Sequence, residues 1–373
     1  MAKDMKALNT RAYVGNPVPA ERVLMNRANA SVGKFMRDRF GRDNNVYKLI
    51  PKNPCVDQFG SPSLKYSWRS TDQEMMAGTS PWNSIIEEQW ISGYVHETNM
   101  YRFSNAVTID EDLIDMGIAV PELDIKQQLI AASDAIGNLM NDMIIRGDPS
   151  KKNPKDPVEN IGAFKGLLTY ARENKQVLSA NPIDLTAPLY SKDDRGNKES
   201  MVIAQNIGAI ISMMDPKPTF LIANNTTINA LSAVAMSLGQ YQLVHSDWDV
   251  GKLLPSFCGI AMISAGSRAN NRYEEIIPSV MQETSNSAEA QADGTKKTFD
   301  YKSQIILGSF GDDSIFGLTK QKDDVYIRER PLDSNMKKFI LNYWFGMACV
   351  GPNCLRVTDV LVPKDLVIRT QMP

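Results

Sequence analysis

Apolar residues return along this chain at two different spacings, which divide it into helical and extended stretches. Between Glu21 and Phe40, the residues Val23, Leu24, Ala28, Val32, Phe35, Met36 and Phe40 recur mostly at steps of three and four. That period predicts a helix with arginines on its other face, closed by Gly41. A longer pattern runs through Leu123, Ile125, Leu129, Ile130, Ile136, Leu139, Met140, Met143 and Ile144. It predicts an amphipathic helix over 122–146, with Pro121 at its start and Gly147 at its end, where helix termini prefer these residues. Such a helix is about 37 Å long at the ordinary rise per residue. Two further helices are expected over 199–214 and 226–238.

Extended stretches carry the other period. Over 63–69, Leu64, Tyr66 and Trp68 alternate with Lys65, Ser67 and Arg69, as in a ribbon with one face exposed. A second short strand is expected at 89–95, so that 51–99 forms a long two-stranded flap punctuated by Pro51, Pro54, Gly60, Pro62, Gly78 and Pro81. A flap of two strands buries too little apolar surface to stand alone in water, so it is expected to lie on something else. Strands are also expected at 101–109, 219–223, 259–264, 276–282, 303–307, 324–330, 337–347 and 355–362. Pro278 places the sixth of these ten at an edge, and 324–330 with 337–347 reads as a long antiparallel hairpin. Residues 1–20, 147–168 and 283–298 read as an extended lead, a Gly/Pro-rich crossing and a polar loop. There is no internal repeat and no sustained heptad.

Bulk composition narrows this picture little: 373 residues, 43% apolar and 23% charged, fit one or two ordinary globular domains. Net charge is -2, so no overall basic field points to nucleic acid. The distribution is uneven, however. Residues 1–42 hold nine Lys or Arg, among them Arg22, Arg27, Arg37 and Arg39, against Asp4, Glu21 and Asp38, and the remainder is net acidic. The basic arm is expected either to meet nucleic acid or an acidic neighbour, or to be a solvated helix. The N-terminus has no apolar segment of secretory type, and no run of 18 apolar residues reads as a membrane span.

Catalytic chemistry has little to work with. His96 and His245 are the chain's two histidines and sit in unrelated contexts, at a strand end and in a loop before Trp248. Cys55, Cys258, Cys349 and Cys354 show no CxxC spacing and read as buried free thiols of a reducing compartment. The acidic pairs Asp312/Asp313, Asp323/Asp324 and Glu87/Glu88 lack the spacing of a calcium loop and read as solvated turns. No phosphate loop or dinucleotide fingerprint is present. No catalytic residue, cofactor or metal is therefore expected.

Three segments carry a resemblance. The stretch 144–168, IIRGDPSKKNPKDPVENIGAFKGLL, looks like a spine-end pattern in which a glycine turn leads to a GLL segment. Residues 305–316, IILGSFGDDSIF, look like an LGDF-type strand, and 335–357, NMKKFILNYWFGMACVGPNCLRV, like a closing strand with a small-residue kink. In this order, behind a basic arm and a long flap, they resemble the major capsid proteins of tailed phages of the Hong Kong 97 type. The resemblance implies an α+β fold with an N-terminal arm (1–56) and an extended loop (57–99). A peripheral domain with its spine helix (100–146 and 323–346) and an axial domain (147–322 and 347–373) complete it.

Function follows from that resemblance as an expectation. The chain is expected to assemble into hexamers and pentamers of an icosahedral head enclosing double-stranded DNA, built in the host cytoplasm with a portal. Because the arm begins almost at Met1, any scaffolding protein is expected to be separate. Phe35, Met36, Phe40, Leu64, Tyr66 and Trp68 are the expected inter-subunit anchors, the alternative being that they cap their own subunit's core. Some members weld subunits through a loop Lys and a hairpin Asn beside a Glu. Lys65 and Asn335 could be the pair, but no Glu is found for them, so no self-cross-linking is expected. Two alternatives stay open: an encapsulin-type nanocompartment shell, and an α/β enzyme using 150–290.

Overall fold

The computed structural model describes residues 45–54, 63–69, 93–110, 125–151, 164–186, 195–245, 253–268, 274–283, 299–320, 325–331 and 336–363. The expected basic helix at 21–40, with Phe35, Met36, Phe40, Arg22, Arg27, Arg37 and Arg39, lies outside these residues, as do Cys55, Asn335 and the acidic pairs at 87–88 and 323–324.

In chain order the elements are α1 (Asn45–Leu49), β1 (Lys52–Pro54), β2 (Ser63–Arg69), β3 (Gly93–Asn99), β4 (Tyr101–Asp110), α2 (Ile125–Arg146), α3 (Leu167–Glu173) and β5 (Val177–Asp184). They continue with α4 (Arg195–Ser212), β6 (Phe220–Ala223), α5 (Asn225–Ser237), β7 (Gln242–His245), β8 (Leu253–Phe257), β9 (Ile260–Ser264) and β10 (Val280–Glu283). The last are β11 (Phe299–Gly308), β12 (Ile315–Thr319), β13 (Tyr326–Pro331), β14 (Met336–Cys349) and β15 (Leu355–Val362).

The strands fall into three sheets. β14 is the axis of a five-stranded sheet: β4 pairs antiparallel along one edge, from Asp110 opposite Met336 to Tyr101 opposite Phe345. Along its other edge β13 pairs with Lys337 to Asn342 and β12 with Phe345 to Cys349. β1 then adds in parallel outside β12. The expected hairpin is thus present as β13–β14. Ile315–Thr319 belongs to its sheet, although the sequence places that segment within the 147–322 division.

The second sheet has eight strands in the order β5-β15-β11-β6-β9-β8-β7, with β10 beside β11. Its parallel pairs are β5 with β15 and β6 with β9; α5 and the β7–β8 hairpin form the crossover between the latter two. Period-two alternation gives this sheet two apolar faces. Leu221, Ala223, Ile305 and Leu307 pack under α4 and α5. Phe220, Ile222, Ile263 and Ile306 instead join a core that contains α1, α2, α3 and the inward row Phe339, Leu341, Tyr343, Phe345, Met347 and Cys349 of β14. The helix α2 therefore has both sheets against it, and its 22 residues span about 33 Å.

Several expectations are corrected in detail. His245 ends strand β7 rather than lying in a loop. At 276–282, Ile276 and Ile277 are buried in bends and the strand starts only at Val280, because Pro278 has no N–H for a ladder. Strands β1, β5, β7, β8 and β12 and helices α1 and α3 went unanticipated. Each is eight residues or fewer, too short for a period to emerge.

Candidate assembly surfaces

Three features could carry contacts to other molecules, and each follows from how the chain leaves the two sheets. The first is the ribbon β2–β3, paired antiparallel in register from Ser63 opposite Asn99 to Arg69 opposite Gly93. Leu64, Tyr66 and Trp68 occupy alternate positions of β2, hence one face of the ribbon by backbone register. Lys65 lies opposite Glu97 in that register. Among the described residues the ribbon pairs with no further strand.

Its root is fixed tightly. β4 leaves the edge of β14 at Tyr101 opposite Phe345, so the last residues of β14 have no β4 partner on that edge. The carbonyl of Met347 is then satisfied twice, by the Thr98 hydroxyl at 3.0 Å and by the Tyr170 hydroxyl of α3 at 3.0 Å. Gly346 beside it lets the Asn99 backbone approach so closely that a Cβ at 346 would stand 2.6 Å from the Asn99 oxygen. The other end of the loop is held by α1 and the residue after it: Val46, Tyr47, Leu49 and Ile50 are buried, with the Tyr47 and Tyr343 hydroxyls 2.6 Å apart. The strands that flank the ribbon in the chain, β1 before it and β4 after it, therefore both belong to the five-stranded sheet.

The second feature is the far end of α2. Gly147 follows its last turn, and a Cβ there would meet the carbonyl oxygens of Met143 and Phe164 at 2.4 Å each. Gly166 packs on it from the other side, donating its N–H to the Gly147 carbonyl at 2.8 Å, and the Thr169 hydroxyl donates to the same oxygen at 2.6 Å. The Arg146 guanidinium forks onto both carboxylate oxygens of Asp142 at 2.6 and 2.7 Å. Just beyond, hydrogen bonds from Ser150 hold the Asp148 carboxyl below its ordinary value. The glycines of the IIRGDP and FKGLL segments thus clasp one another, giving the spine helix a rigid exit.

The third feature is the face of the five-stranded sheet turned away from α2. Register places Arg102, Ser104, Ala106 and Thr108 of β4 beside Trp344, Asn342, Ile340 and Lys338 of β14, and the last three beside Tyr326, Arg328 and Arg330 of β13. Arg102, Arg328 and Arg330 are exposed. Lys320 adds a fifth cation, its Nζ 4.4 Å from the Trp344 ring and 5.4 Å from that of Tyr326. From Arg102 to Thr108 and across to its partners, this face carries no carboxylate. Asn342 is buried in its middle with Oδ1 lacking a hydrogen-bond partner.

The features expected of an enzyme are not drawn together. His96 lies in the two-stranded ribbon and His245 at the edge of the eight-stranded sheet. Among the described residues no three His, Cys, Asp or Glu converge as metal ligands, and no helix is long and apolar enough to cross a membrane. Asp312 and Asp313 occupy the turn before β12, where Asp312 accepts from Asn53 at 3.0 Å.

This order of parts, with a ribbon rooted on a hairpin sheet, a spine helix and a second sheet under two helices, is the α+β Hong Kong 97-type fold of capsid and encapsulin shells. No protein-family model matches the sequence, and no curated protein matches it. Among solved structures the chain is similar to the SrpI encapsulin of Synechococcus elongatus PCC 7942 in its holo complex, with a TM-score of 0.54 at 12% identity over 95% of this chain and 94% of that one. It is also similar to the capsid of an empty GTA particle (TM-score 0.48, 10% identity, 84% and 88% covered). A structure from Mycobacterium phage Bobi aligns with a TM-score of 0.47 at 13% identity, covering 94% and 99%.

Proposed function

We propose that this chain is the major subunit of a phage-type icosahedral head, a structural protein that assembles into hexamers and pentamers around double-stranded DNA. The observation that carries the reading is the ribbon β2–β3, anchored at its root and pairing with no further strand among the described residues. Two strands alone bury too little to be stable, so their natural support is a second copy. Leu64, Tyr66 and Trp68 on one face of β2 are the anchors this predicts, joined by Phe35, Met36 and Phe40 of the arm.

Charge supports a particular docking. The loop 70–92 contains Asp72, Glu74, Glu87 and Glu88 and no Lys or Arg, whereas the outer face of the five-stranded sheet bears Arg102, Lys320, Arg328, Arg330 and Lys338. The loop of one copy laid over that face of the next satisfies both sets of charges. The basic arm, with Arg22, Arg27, Arg37 and Arg39, then faces packaged DNA or an acidic neighbour. A separate scaffolding protein and a portal complete the expected partners, and the arm, loop, peripheral and axial divisions stand as the subunit's working parts.

An encapsulin-type compartment is the second reading, favoured by the match to the SrpI encapsulin along nearly the whole of both chains. Negative-stain microscopy of the expressed chain, alone and with proteins encoded beside it, tests the shared claim. Shells are expected, and a strictly monomeric species under every condition overturns it. Particle contents then separate the readings. Double-stranded DNA in particles from infected or induced cells supports the head, and one stoichiometric cargo protein without DNA supports the compartment.

A further inference from the structure

The chain passes between its two sheets at two adjacent places. One is 309–314, leading from β11 to β12, and the other is 350–354, leading from β14 to β15. These crossings are tied to each other: the Val350 N–H donates to the Ser314 carbonyl at 2.7 Å, and the Ser309 N–H to the Cys354 carbonyl at 3.0 Å. The second crossing reads CVGPNC, and a cysteine stands at each end of it. Cys349 is the last residue of β14, held opposite Ile315, and Cys354 precedes the first residue of β15, which is held opposite Gly308.

The turn between them, with Pro352 starting a single 3-10 turn, folds the two side chains back on each other. Their sulfurs are 3.4 Å apart, and both point at the Gly351 carbonyl, at 3.5 Å from Cys349 and 2.8 Å from Cys354. Neither residue has any exposed surface. Cys258, the other described cysteine, is exposed and stands in the β8–β9 turn.

The geometry points to Cys349 and Cys354 as an oxidisable dithiol that closes an intrasubunit disulfide across the joint between the two sheets. Bringing the sulfurs from 3.4 Å to the bonded distance of about 2.05 Å takes a small shift within a turn whose two ends are already paired into sheets. The oxidant is a small peroxide. One thiolate attacks the peroxide oxygen, giving a sulfenic acid and releasing hydroxide or water. The second thiol attacks that sulfur, the S–O bond breaks, and a second water leaves. In sum two thiols lose two protons and two electrons, and hydrogen peroxide is reduced to two waters. The hydrogen bond with Cys354, together with burial, pushes the Cys349 thiol well above the ordinary value, which slows the reaction without changing its product. The product joins the end of β14 to the start of β15 covalently, beside the backbone hydrogen bonds that already tie the two crossings. This inference does not depend on what the shell encloses.

The test uses the full-length chain carrying Cys55→Ser and Cys258→Ser, exposed to hydrogen peroxide while folded, then denatured and alkylated without reductant. Mass spectrometry of the peptide spanning 349–354 is expected to show both cysteines unalkylated and two hydrogens lost, with full alkylation restored after dithiothreitol. The oxidised protein is expected to unfold at a higher temperature than the reduced one. In a further Cys349→Ala variant, Cys354 is expected to be alkylated or oxidised to a sulfinic acid, with no linked peptide. Full alkylation of both cysteines after peroxide, or links that form only between subunits, overturns the proposal.

Discussion

The Asn99 carbonyl oxygen lies where a side chain on Gly346 would begin: a Cβ built there falls 2.6 Å away. The ribbon therefore leaves the body of the protein by pressing its backbone flat on β14. Gly346→Ala must push that backbone off, and with it the Thr98 hydroxyl that reaches the Met347 carbonyl. A loss of about 1–3 kcal/mol in unfolding free energy is expected, together with a drop in assembly yield, read by denaturant titration and by sedimentation.

Gly147 and Gly166 form a tighter contact, backbone on backbone, with nothing flexible to give way. Alanine at either position is expected to cost about 3 kcal/mol or more, enough to leave little folded protein. Gly208 in α4 is the control, because a Cβ there meets nothing within 4 Å. Gly208→Ala is expected to stabilise by about 0.5–1 kcal/mol through helix propensity. Equal effects at the three glycines would remove the clasp as an explanation.

Charge reversal tests the basic face. Arg328→Glu with Arg330→Glu replaces two exposed cations and is expected to leave subunit stability within about 0.5 kcal/mol. Assembly should fall at least about tenfold at low salt, since like charges set face to face slow encounter and weaken docking. Glu87→Lys with Glu88→Lys in the same chain should restore it. Light scattering of assembly at several salt concentrations reads both outcomes.

Glu275 packs against the start of α5, where the Asn225 N–H donates to its carboxylate at 3.3 Å. Burial outweighs that hydrogen bond and raises the carboxyl above its ordinary value. A carboxyl that holds its proton more tightly folded than unfolded favours the folded state below the unfolded value, and that contribution fades as pH rises through the folded one. The wild-type chain should therefore lose stability relative to Glu275→Gln as pH is raised from about 4 to 7. Urea midpoints of the two proteins across that range measure the difference, and parallel curves would show that Glu275 is not the titrating group.

Long periodic stretches were legible in the sequence because their signal is local. Leu129, Ile136, Met140 and Ile144 return on one helical face whatever that face touches, and α2 is found at 125–146 inside the expected 122–146. The alternation of Leu64, Tyr66 and Trp68 located β2 at its observed bounds, and the β13–β14 hairpin was marked by its flanking turns. Short elements gave no such signal: β1 and β12 are strands only because Lys52 meets Gly317 and Gly317 meets Met347, partners far apart in the chain.

The ribbon and basic face show the same division at the level of the site. Sequence alone determined which residues alternate on β2 and that 1–42 is basic, since each is a property of neighbours along the chain. Only the tertiary structure brought Arg102, Lys320, Arg328 and Arg330 onto one face, set Gly147 against Gly166, and turned Cys349 toward Cys354. Those relationships depend on sheet register and on the direction of a turn, which are decided by packing between distant segments. Period and composition fix what each segment can bury, and the closing of the two sheets on α2 fixes what it meets.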